Sequence, residues 1–156
     1  MKTIKFTTSS QTKKLLKQLA GKSYQVKIAL KKAGYDFGKA VTDDIRHEMT
    51  HGAKTGRRYL IYRGRGGRKL SKPRFHTASA RGDTAPAVIS GGLRSSVDFR
   101  VKSYKQVVIG AGNSEINYAK FVEGRPHKRY FLKRGIRRNI QKGKSFVIKR
   151  LGGVMK

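Results

Sequence analysis

Cysteine is absent from this chain of 156 residues, acidic side chains number only eight, and no long apolar run is present. Without cysteine there is no disulfide framework and no thiolate metal site. No apolar stretch approaches membrane-spanning length. None follows Met1 either, so no signal peptide is expected and a cytoplasm-like compartment is. With four histidines and eight acids, no serine, histidine and acid arrangement and no paired carboxylates stand out. The chain has little with which to catalyse a reaction.

What is abundant is positive charge: 38 Lys and Arg give a formal charge of +30. A chain of this kind meets polyanions or is neutralised by acidic partners. The acids cluster, with Asp36, Asp43, Asp44 and Glu48 in one short segment, whereas residues 124–156 hold 12 Lys and Arg and no acid. The 37% of apolar residues suffices for one modest core, so a single domain spanning 1–156 is expected rather than a disordered tail.

Along residues 1–22, an N-terminal extension, Lys2 to Thr7 alternates Ile4 and Phe6 with polar residues as a short strand would. Ser9 or Ser10 is placed to cap a short helix carrying Leu15, Leu16 and Leu19. From Ser23 to about His51, Val26, Leu30, Ala33, Phe37, Val41, Ile45 and Met49 recur at spacings of three and four, the stripe of a long helix that ends at Gly52. Arg57 to Arg63, with Tyr59, Leu60, Ile61 and Tyr62, reads as a strand. Residues 64–87 are rich in Gly, Lys and Arg and poor in large apolar residues, which predicts a long basic loop of functional importance. Ser96 to Lys102 and Gln106 to Gly110 predict an antiparallel hairpin turning near 103–105, and Ile116 to Val122 a further strand. Over 130–151, Leu132, Ile136, Ile140, Val147 and Leu151 predict a basic amphipathic helix, weakened at Gly143. The expected fold class is α+β: a small antiparallel sheet with a long N-terminal helix and a C-terminal helix packed on one face.

Three short patterns invite chemical readings. His47-Glu48-Met49-Thr50-His51 fits the HExxH zinc-peptidase pattern, in which two imidazoles one turn apart bind zinc and the glutamate activates water. The apolar stripe, however, runs through Ile45 and Met49, and a residue two positions away lies roughly 200° round the helix. His47 and His51 are therefore expected on the solvated side, and no spacing nominates a third ligand among His76, His127, Glu115 and Glu123. Arg81-Gly82-Asp83 matches an integrin-binding tripeptide but reads as a turn. Gly64-Arg65-Gly66-Gly67-Arg68-Lys69 lacks the Gly-Lys-Ser/Thr ending of a nucleotide phosphate loop. No metal or cofactor is expected.

The basic loop and the basic helix do suit a phosphate backbone, because Lys and Arg without a base-reading motif attract nucleic acid irrespective of sequence. Arg63, Arg65, Arg68, Lys69, Lys72, Arg74, Arg134, Arg137 and Arg138 are the candidates to face DNA or an acidic partner.

A longer constellation carries a resemblance. Thr55-Gly56-Arg57 follows the long helix, and Ala85-Pro86-Ala87-Val88 and Gly92-Leu93-Arg94-Ser95-Ser96-Val97 precede the hairpin. Tyr118-Ala119-Lys120-Phe121-Val122-Glu123-Gly124 comes next, and Arg129-Tyr130-Phe131-Leu132 opens the last helix. In this order, over roughly residues 23–151, the chain resembles the tail-completion or head-tail joining proteins of the tailed-bacteriophage neck. Glu123-Gly124 is followed by Arg125-Pro126-His127 where many relatives carry a small residue and a threonine, and the charge exceeds the family pattern. Gly56, Leu93, Tyr118, Glu123, Gly124, Phe131 and Leu132 carry the family motifs.

The resemblance implies a non-enzymatic α+β subunit of a ring, commonly hexameric, that joins the portal of a DNA-filled head to the tail. Implied neighbours are other copies of the chain, a portal, adaptor or stopper protein, and a tail terminator or tail tube protein, with genomic DNA in the lumen. Assembly would take place in the host bacterial cytoplasm, without a membrane. The alternative is a non-specific nucleic-acid-binding protein of ribosomal or nucleoid type, which the charge supports but the ordered motifs do not.

Overall fold

A computed structural model describes residues 2–5, 23–63, 68–80, 85–86, 91–112, 119 and 130–155. The elements are β1 (Lys2–Lys5), α1 (Ser23–His51), β2 (Arg58–Arg63), β3 (Lys69–Thr77), a single-turn α2 (Gly92–Ser95), β4 (Asp98–Ser103), β5 (Gln106–Gly110) and α3 (Phe131–Met155). The strands form two sheets, β1-β5-β4 and β2-β3, and with α1 packed on the first of them the fold is α+β. The chain divides into two compact units, one of Met1–Val41, Phe99–Ile109 and Ile136–Lys156, the other of Thr42–Asp98 and Gly110–Gly135.

In the first unit β5 is the central strand. Its consecutive Val107, Val108 and Ile109 point to alternate faces and are all buried, so both faces are covered. β1 pairs antiparallel with it from Lys2↔Ile109 to Lys5↔Gln106. β4 and β5 are joined through Tyr104 and Lys105, a connection so short that the pair must be antiparallel. α1 meets this sheet through small residues: Gly34 lies beside Val107 and Val101, and Gly38 beneath the ring of Phe99. Tyr35 adds an edge-on contact to the same ring, with centroids 5.2 Å apart.

The neighbouring face of α1 holds α3. Val26 and Ala29 cluster with Leu151, flanked by Leu30, Val147 and Val154. Further along α1, Phe37 fills the space left by Gly143. The rise of α1 numbers against falling α3 numbers makes the helices antiparallel. Arg150 Nε and Nη2 both donate to Asp36 Oδ2, at 2.9 and 2.8 Å, along the exposed edge.

In the second unit the end of α1 buries Ile45 and Met49, and Ile45 packs where Gly135 of α3 has no side chain. Arg46 Nη2 donates to the Val97 carbonyl at 2.6 Å. That bond ties the helix to the strand approach, where Val97 itself is fully buried. Gly91, at φ 82°, opens the single turn of α2, a left-handed backbone that glycine adopts without strain. Ser96 then accepts from the Gly112 amide and donates to the Leu93 carbonyl.

The stripe expected on α1 is present: all its members are buried except the half-buried Leu30. The β4-β5 hairpin and the C-terminal helix also lie where the pattern places them, and α3 runs through Gly143 without a break, but the expected stripe is corrected at Ile140, which is exposed while Asn139 beside it is buried. The long loop over 64–87 is corrected. Its centre, Lys69–Thr77, is strand β3, paired antiparallel with β2. The reason is that no residue of β3 is fully buried, so its sequence carries no burial pattern from which a strand could be read. The strand expected over 116–122 is corrected at Ala119, which is helical and buried; the rest of that stretch lies outside the described residues. So does the helix expected to follow Ser9 or Ser10.

Candidate nucleic-acid interface

The sequence places eight Lys and Arg and no acid between residues 57 and 80. The second unit folds this segment into a two-stranded ribbon. Its base is fixed by backbone bonds, Gly56 N to Ala78 O at 2.9 Å and Ala78 N to Arg57 O at 3.0 Å. A Cβ on Gly56 would stand 2.7 Å from the Ala78 oxygen and 3.0 Å from the Ala80 nitrogen, so this crossing of two backbones requires glycine. Beyond the base, Arg58↔Thr77, Tyr59↔His76, Leu60↔Phe75 and Ile61↔Arg74 are directly opposed. The ladder then becomes irregular and resumes at Arg63↔Lys69. The extra residues fall in β3 and include Pro73, which has no amide to donate and is tolerated at such a break.

Alternation assigns the side chains to two faces. Arg58, Leu60, Phe75 and Thr77 share one, while Tyr59, Ile61, Arg74 and His76 share the other. On the first face the Arg58 guanidinium lies over the Phe75 ring, 3.9 Å from its centroid. On the second, Tyr59 meets His76 edge-on, with centroids 5.4 Å apart. The first face is open, with Tyr62 58% and Phe75 61% exposed, whereas on the second Ile61 and His76 are half-buried.

Of the candidate cations, Arg63, Arg68, Lys69, Lys72 and Arg74 are all exposed on this ribbon or its tip, and Arg65 lies outside the described residues. Arg134, Arg137 and Arg138 are exposed on α3. The sequence reading missed Arg57, Arg58, Tyr59, Tyr62 and Phe75. Interleaving of Arg with aromatics in 57–63 and again in 74–75 is the signal that would have found them.

Apart from Gly56 at the base of the ribbon, the described motif residues sit in the packing of the second unit. Leu93, Phe131 and Leu132 are buried, as are Ala85 and Val97 beside them in sequence motifs. Ser79 Oγ donates to the Ala85 carbonyl at 2.9 Å. Tyr118, Glu123 and Gly124 lie outside the described residues. His47 and His51 are exposed, with stacked rings 4.3 Å apart, while Glu48 between them is buried. The pattern thus turns its glutamate away from its histidines. Among the described residues no three His, Asp or Glu side chains are grouped to hold a metal, and no helix is long and apolar enough to cross a membrane.

Searches against family models, curated proteins and solved structures found no match for this chain.

Proposed function

We propose that the chain is a structural subunit of a tailed-phage neck, forming a ring that joins the DNA-filled head to the tail. The observation that carries this reading is the packing of the motif residues: Gly56, Ala85, Leu93, Val97, Phe131 and Leu132 are buried or closely packed within one unit. They support a shape rather than a reaction, since none supplies a nucleophile, an acid or a base. A shape-bearing motif set suits an assembly subunit. A ring closes through heterologous contacts, each subunit offering one face to a different face of its neighbour. At +30 per subunit, repulsion opposes closure of an isolated ring, so assembly is favoured on a preformed connector or around polyanion. The test is particle imaging of a lysate in which the gene is disrupted. Filled heads beside free, unjoined tails support the reading; normal virions overturn it.

A second reading, a nucleic-acid-binding protein of ribosomal or nucleoid type, is favoured by the exposed basic ribbon. It predicts stoichiometric RNA or DNA binding by the monomer, and normal virions in the same lysate.

A further inference from the structure

We propose that the β2-β3 hairpin is a nucleic-acid-binding arm, which holds the phosphodiester backbone through Arg58, Arg63, Arg68, Lys69 and Arg74. The inference stands on the hairpin alone and not on the neck reading.

The first argument is electrostatic. Arg63 and Lys69 are direct cross-strand partners, with Arg68 adjacent in sequence to Lys69. Like charges opposed in this way destabilise a strand pair. Among the described residues no carboxylate pairs with any of these cations, whereas Arg150 on α3 is held by Asp36. The strain at the distal end of the hairpin is relieved when an anion bridges the two strands. Phosphates repeated along a backbone supply one anion per cation.

The second argument is geometric. The Arg58 guanidinium is held over Phe75 on an exposed residue, and a guanidinium that lies over a ring keeps its N–H edge for other partners. That edge is the fork that phosphate accepts from. Tyr62 and Phe75 place exposed rings on the face of Arg58, and Tyr59 places one on the face of Arg74, so that each face offers a ring on which a base can stack beside a cation for its phosphate. A two-stranded ribbon also has the width to enter a major groove. An isolated hairpin is marginally stable in water, and this one is anchored at its base by the Gly56 and Ala78 bonds, with no residue of either strand fully buried beyond them. Charge, rings and shape together select nucleic acid over an acidic protein surface.

The test is fluorescence anisotropy of the full chain with a labelled random-sequence duplex and its matching single strand, across a salt titration. The variant R63Q/R68Q/K69Q is expected to weaken binding at least tenfold at low salt and to flatten the log–log salt slope by about 2–3 for duplex DNA. A helix variant removing equal charge, R134Q/R137Q/K142Q, is expected to change both much less. Arg58→Lys, which keeps the charge and loses the planar stack, is expected to weaken binding several-fold with the slope unchanged. Should the triple hairpin variant not fold, Lys69→Gln alone decides by its slope. Equal weakening by the hairpin and helix triples overturns the proposal, because net charge would then suffice. So does displacement of DNA by an acidic peptide at equal charge concentration, which would identify a protein partner. Tighter binding of the single strand supports stacking by the exposed rings, and tighter binding of the duplex supports groove entry; both uphold the arm.

Discussion

Gly38 of α1 lies directly beneath the ring of Phe99 on β4, and there is no room between them for a methyl group. The helix approaches the sheet as closely as it does because the side chain at that position is a hydrogen atom. Alanine is the better helix former by about 1 kcal/mol, so propensity and packing oppose one another here. Packing is expected to win: Gly38→Ala should lower stability by about 1–3 kcal/mol. Pairing it with Phe99→Leu should cost less than the sum of the two single changes in a denaturant double-mutant cycle. Additive losses would show that the two residues do not share the contact.

Two glycines of α3 should answer in opposite directions. A Cβ on Gly143 would stand 2.7 Å from Cδ2 of the buried Phe37, whereas one on Gly153 would meet nothing within 4 Å. Gly143→Ala is expected to lower the melting temperature. Gly153→Ala should raise it, since alanine gains a few tenths to about 1 kcal/mol of helix propensity over glycine. Thermal melts of the two variants side by side separate a packing glycine from a merely tolerated one.

The base of the hairpin depends on Gly56. Its obstacle is backbone rather than a side-chain end, so the neighbouring chain cannot turn aside. Gly56→Ala should break the amide bonds to and from Ala78. Native-state hydrogen exchange would read this as faster exchange at the substituted position and at Ala78, with the amides of α1 unchanged. Equal acceleration throughout would mean global destabilisation and not a local hinge.

For His47 and His51, exposed on one turn of α1 with their glutamate buried, zinc is expected to have no effect. Melting temperature should be the same with added zinc and with chelator, and the double alanine variant should stay within about 0.5 kcal/mol of the parent. A zinc-dependent rise in melting temperature that vanishes in His47→Ala would restore the metal reading.

Deletion of residues 64–87, the natural experiment while that segment reads as a loop, would remove β3, the buried Ala85 and the Ser79–Ala85 bond. Substitutions at the exposed cations are the appropriate probe. Ala85 shows why: an alanine with no exposed surface sits within a stretch whose composition looks wholly solvated.

Burial writes itself into sequence, and that is why the long helix, the C-terminal helix and the β4-β5 hairpin were legible. Val26 to Met49 keeps a helical period because each member must face the interior. Phe99 and Val101 alternate with exposed Asp98, Arg100 and Lys102 because one side of β4 is covered. The excess of cations and the order of the motifs are equally properties of the chain alone. Tertiary structure decided the rest. Strand β3 exists through its pairing with β2, and backbone pairing leaves no period-two trace where neither face is buried. The same pairing sets Arg63 against Lys69 and Arg58 over Phe75, partners whose meeting depends on register and not on their separation in sequence.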